Sequence, residues 1–235
     1  MIVAASNTPT FPYHKRREPH PGIIAIIYTA LLILSLVIYR ILAHGAGFSN
    51  PFGSLEKAQQ TFLQFPDAIR FTAIFQFSAA ISLGLFTAVV ISRLNFLGAN
   101  ATGVSIALFG GIAASLLITI SSICSWILSQ PGVANDLIIM HVLQLLAFLS
   151  GGVAHTVAIG LLMTGVAIPC LFGGYTPKWV AYLGLVLATT AGLSIISLIF
   201  PLATIFIPVT RLGSFIWLIS TGFTLVKDRT VSQVS

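Results

Sequence analysis

The stretch IIMHVLQLLAFLSGGVAHTVAIGLLM, Ile138 to Met163, decides how this chain is read. It carries no charged residue and runs longer than the roughly 20 apolar residues that cross a bilayer. Yet it holds His141, Gln144 and His155. An α-helix advances 100° per residue, so His141, Gln144, Phe148, Gly152, His155 and Ile159 fall on one stripe. Polar groups gathered on one stripe face a bundle interior rather than lipid. The Gly151–Gly152 pair lets a neighbour or a flat ligand approach the backbone. This stripe, with Ser115 and Thr119 of the preceding apolar segment, is the candidate ligand-binding site.

The rest of the chain supports a membrane reading. Of 235 residues, 57% are hydrophobic and 7% charged, against roughly 25% charged in a soluble domain. The fold class expected is all-α, a polytopic bundle of six transmembrane helices over residues 23–226. The spans are Ile23–Leu42, Phe71–Leu94, Gly103–Leu128, Leu137–Cys170, Trp179–Phe200 and Pro208–Val226. The fourth is longer than a crossing needs; it tilts, or leaves the bilayer near Gly165 and Pro169. Residues 44–70 form the one long loop, and its SLEKAQQTFLQF stretch reads as a short interfacial helix. The apolar run after KRREPHPG exceeds the h-region of a signal peptide and reads as an uncleaved first span.

Charge sets the expected topology. Lys15, Arg16, Arg17, Arg93, Lys178, Lys227 and Arg229 fall on one side of a six-span chain. Arg40, Lys57, Arg70 and Arg211 fall on the other, near Glu56, Asp67 and Asp136. The positive-inside rule then makes residues 1–22 and 227–235 cytoplasmic tails of an inner-membrane protein and 44–70 an outer loop. The net charge of +6 resides in short flanks, which fits lipid headgroups rather than nucleic acid. Arg211 lies 16 residues before Lys227, about 24 Å along a helix. It is expected near the outer interface, snorkelling or paired with Asp136 or a lipid phosphate.

Small residues mark packing faces. Gly103, Ala107 and Gly111 continue into Ser115 and Thr119 at four-residue spacing, and Gly184, Ala188 and Gly192 repeat the device. Such stripes let helix backbones approach closely, within one chain or between the subunits of a homo- or hetero-oligomer. The abundant Ser and Thr hydroxyls either bond carbonyls one turn back or line a polar path. Cys124 and Cys170 read as small core residues.

Chemistry-bearing motifs are scarce. There is no HExxH, GxSxG or phosphate loop, and no carboxylate or lysine lies within a span. The chain therefore reads as non-enzymatic, and a cation-coupled transporter lacks its usual mid-depth carboxylate. His141 and His155 stand 14 residues apart, about 21 Å along a helix, too far to share one metal. A haem or metal at the outer level would instead use His44 with His141.

The stretches IPCLFGGYTPKWVAYLGLVLATTAGL and IPVTRLGSFIWLISTGFTLVK resemble the bacterial six-helix membrane proteins called domain of unknown function 4386. The matching positions are Pro177-Lys178-Trp179, Gly184, Trp217-Leu218-Ile219 and Gly222, and FQFSAAISLGLFTAVVISRLN extends the likeness over residues 23–226. The resemblance implies the six-span architecture and no activity. It departs at Arg211, where that family often carries an acidic residue, and His141 and His155 are not among its signatures. The leading reading is a bundle that binds a partner subunit, a lipid or another apolar ligand. A small solute transporter or channel is the main alternative, ahead of a haem- or metal-binding redox subunit.

Overall fold

In the computed structural model, which describes residues 19–99 and 102–226, every regular element is helical and none of the described residues forms a strand. Among the described residues, six helices are long and apolar enough to cross a membrane. The chain is a multi-pass membrane protein. Its tail charges Lys15, Arg16, Arg17, Lys227 and Arg229 lie outside the described residues.

The first span is α1, Pro21–Leu42, with proline in the first turn and His20 capping Gly22 N–H at 3.1 Å. Proline belongs there because the first helical N–H groups need no intrahelical acceptor. The 44–70 loop carries α2, Leu55–Gln64, capped by Ser54. The second span, α3, runs Pro66–Phe96 and so begins five residues before Phe71. Pro66 again opens the helix, with Asp67 in the first turn where the helix dipole favours a negative charge.

The third span is α4, Thr102–Leu128. The fourth is composite: α5, Leu137–Phe148, a π-helical turn Leu149–Ala154, and α6, His155–Gly173. It continues as one helical run through Gly165 and Pro169 to Gly173, rather than leaving the bilayer there. The fifth is α7, Lys178–Leu193, continued by a 3-10 segment to Leu198. A further 3-10 segment, Pro201–Ile205, leads into α8, Phe206–Thr224.

The spans pack in chain order around a ring, and α8 closes it against α1. Both ends of the bundle meet on one face: the Gly222 position abuts the Gly22 backbone, and Val226 N–H donates to Tyr175 O at 3.0 Å. An even number of crossings requires this. We call it the terminal face, and the opposite one, carrying α2, the loop face. Ile23, Ile26, Phe109, Leu116 and Ile216 point outward, as lipid contact demands.

The small-residue stripes divide between neighbours. Gly103 and Ala107 meet Gly165 of α6, while Gly111 packs on Thr87 of α3. Gly110, which the four-residue spacing omits, lies on the backbone of Ala158 and Leu162. On α7, Gly184 receives the Trp217 indole of α8, Ala188 faces Gly160 of α6, and a Cβ at Gly192 would meet nothing within 4 Å. The single groove expected on each helix is thus two half-grooves facing different partners. These contacts are all made within the chain. Cys124 and Cys170 are buried and free.

Candidate functional site

The composite fourth span builds the site. Asp136 caps α5 by accepting from the amides of Ile138 and Ile139 at 2.9 and 3.0 Å. At the far end of the π turn, His155 N–H bonds the carbonyls of Ser150 and Gly152. It bypasses Gly151 O, its ordinary α-helical acceptor. Arg211 Nη2 donates to that Gly151 carbonyl instead. A π turn of this kind often accompanies a functional site because it frees backbone groups and redirects side chains. A Cβ at Gly151 would collide with the Ser121 side chain, so glycine is needed there.

Arg211 therefore departs from one expectation. It does not pair with Asp136, whose carboxylate is occupied in capping α5. It stands level with Gly151, 13 residues from Thr224, about 20 Å along the helix. Its Nε is buried without a hydrogen-bond partner among the described residues. The other described carboxylates are also engaged. Asp67 pairs with Arg70 at 3.2 Å, and Glu56 accepts from Ser54 Oγ at 2.6 Å. That hydroxyl holds the Glu56 carboxyl below its ordinary range. Among the described residues, then, no carboxylate compensates Arg211.

A cavity of about 310 Å³ adjoins the guanidinium. Ile118, Ser121, Gly151, Gly152 and Ile207 line its deeper part with Arg211; Tyr39, Phe48, Phe62 and Phe148 form apolar walls nearer the loop face. Gln144 lines it too. Gln144 is 6% exposed, its Nε2 donates to Ser49 Oγ at 3.0 Å, and its Oε1 has no partner among the described residues.

The loop face roofs this space. Tyr39 stacks on Phe48 at 3.9 Å and donates to Gly47 O at 3.1 Å. Phe52 stands edge-on to Phe148 at 5.4 Å. Helix α2 buries Ala58 against Leu128, Ala134 and Met140, and Gln59 Nε2 donates to Ala134 O at 2.9 Å. The expected interfacial helix is thereby part of the enclosure.

The predicted stripe is only partly assembled. Gln144, Phe148 and Gly152 line the cavity with Arg211. His155 does not; it is 1% exposed, with Nδ1 2.9 Å from Ala114 O and Nε2 3.5 Å from Tyr28 Oη. A carbonyl only accepts, so Nδ1 carries the proton and Nε2 accepts from Tyr28. His155 thus joins α1, α4 and α6. Ser115 donates to Ala80 O at 2.7 Å and Thr119 to Ser115 O at 2.9 Å, neither at the cavity. His141 is one turn from Gln144, with Nδ1 buried and unpartnered. His44 lies in the turn that follows α1, with its ring edge-on to Phe65. No group of three metal-ligating side chains occurs among the described residues.

Sequence reasoning missed Ser49, the aromatic roof and Gln76, which also lines the cavity. The signal for the roof was present as Phe48, Phe52, Phe62 and Phe65 in the one long loop. Compared with family models, curated proteins and solved structures, the chain matches none.

Proposed function

We propose that this protein is a non-enzymatic membrane bundle that holds an amphipathic small molecule in the Arg211 cavity. One observation carries the reading. Gln144 is nine-tenths buried with an unpartnered Oε1, in a cavity that Arg211 and aromatic rings also line. Buried polar atoms are nearly always satisfied, and a pocket with apolar walls and a few convergent polar groups is the usual form of a ligand site. The volume of about 310 Å³ lies at the lower end of the range for small ligands.

The positive-inside pattern supports cytoplasmic termini in an inner membrane, with the cavity near the outer surface. Kinship with the domain of unknown function 4386 proteins is proposed on the same residues as before. Two of them have a packing role that supports it: Gly184 makes room for Trp217, whose Nε1 donates to Val180 O at 3.1 Å.

The test is native extraction into lipid nanodiscs followed by mass spectrometry of what stays bound. Wild-type protein is expected to retain a small molecule stoichiometrically. Ser125→Phe, which fills the cavity from α4, is expected to release it while circular dichroism stays unchanged. Equal retention by both proteins would reject the cavity as the ligand site, and flux of solute through proteoliposomes would favour the transporter alternative.

A further inference from the structure

We infer that the occupant of this cavity is a singly charged amphipathic carboxylate, with its head on Arg211 and its apolar body under the aromatic roof. The inference rests on the ligand-binding reading above and adds the chemistry of the head.

Charge balance is the first ground. A guanidinium stays charged and offers five N–H donors. Arg211 makes one hydrogen bond among the described residues, to the neutral Gly151 carbonyl, and its buried Nε makes none. Arg211 is half-buried at the cavity, and a cation held within a span without a counter-charge is unfavourable; an anion in hydrogen-bonding contact offsets part of that cost. Glu56, Asp67 and Asp136 are each engaged elsewhere. A bound anion in the cavity would supply the counter-charge that none of these three carboxylates provides.

The head's valence follows from the same count. One guanidinium neutralises one negative charge, whereas a phosphate dianion would leave an excess charge in the bilayer. A carboxylate also matches the planar donor fork of arginine.

The body follows from the walls. Gln144 and Gly151 are seven residues apart on one helical run, so about 10 Å separates the two polar levels. Phe148 lies between them, and Tyr39, Phe48 and Phe62 lie beyond. A free inorganic anion would leave that apolar length empty. A chain attached to the carboxylate fills it, and the Gln144 amide offers a second polar contact farther along the chain.

The experiment is calorimetric titration of full-length protein in nanodiscs, with empty discs as the blank. The probes are dodecanoate, dodecanol and acetate. Dodecanoate is expected to bind at least about tenfold more tightly than dodecanol, the scale of one charge-assisted hydrogen bond, and acetate to bind at least as much more weakly. Arg211→Gln should erase the preference over dodecanol, and Arg211→Lys should restore part of it.

Equal binding of dodecanoate and dodecanol by wild-type protein overturns the carboxylate while leaving the cavity reading intact. Acetate binding as tightly as dodecanoate overturns the amphipathic body. No binding of any probe, or binding unchanged in Ser125→Phe, removes the cavity reading and this inference with it. Since the wild-type comparison decides the head's charge alone, an Arg211→Gln protein that fails to fold does not spare the proposal.

Discussion

The two ends of the bundle are built on opposite principles. Toward the terminal face, helices touch backbone to backbone: Gly103, Ala107 and Gly110 of α4 lie on α6, and Gly222 of α8 lies on Gly22 of α1. Toward the loop face, a π turn, three 3-10 segments (Val133–Asn135, Ser194–Leu198 and Pro201–Ile205) and α2 interrupt the regular helices, and a cavity remains between them. Between the two levels, Tyr28 and His155, 0% and 1% exposed, join α1, α4 and α6. The lesson concerns where a membrane bundle can hold a ligand. Helices that meet through glycine leave no volume, whereas a frame locked at one end can support an open site at the other.

This contrast can be broken most directly at the locked end. At Gly110 an added Cβ would stand 2.5 Å from Leu162 N and 2.8 Å from Ala158 O. Gly110→Leu should therefore separate α4 from α6 and destabilise the protein by about 3 kcal/mol or more. Unfolding in mixed micelles measures this, and a wild-type midpoint would mean that the close contact contributes nothing.

The junction should respond less. Tyr28→Phe leaves His155 Nε2 without its donor, and such intramembrane bonds contribute about 0.6 kcal/mol on average and rarely more than about 1.7. The stability loss should stay in that range, with dodecanoate affinity nearly unchanged, because neither residue lines the cavity. A large affinity loss with intact stability would move His155 into the ligand site.

The smallest effect is expected at Gly192, where an added Cβ meets nothing within 4 Å. Gly192→Ala should leave stability unchanged or raise it by up to about 1 kcal/mol through helix propensity. Destabilisation would show that the α7 stripe serves an interface beyond the chain, which the same unfolding assay detects alongside a shift in oligomeric size.

Much of this architecture was legible in the residues. Six apolar runs correspond to six spans, and SLEKAQQTFLQF forms α2. Parts of the candidate site were legible as well: Gln144, Phe148 and Gly152 do line one cavity. The stripe failed at His155 because it assumed a constant 100° per residue, which the π turn at 149–154 breaks. A count from Lys227 places Arg211 along its helix but does not show that its side chain turns inward onto Gly151. Gly110 was overlooked because a four-residue stripe suits one partner helix, whereas α4 has neighbours on both sides.

What the residues determined alone is what the bilayer judges one segment at a time. Burying apolar side chains in hydrocarbon while satisfying each backbone amide internally requires a helix of a certain length, whatever the other helices do. That condition settles the number of spans and the parity that brings both ends to one face. The tertiary structure decided which stripe meets which neighbour, where the backbone slips into a π turn, and that Arg211 rather than a histidine stands in the cavity. Those outcomes depend on contacts between segments as distant as Gly151 and Arg211, and steric fit between two helices is not written in either one.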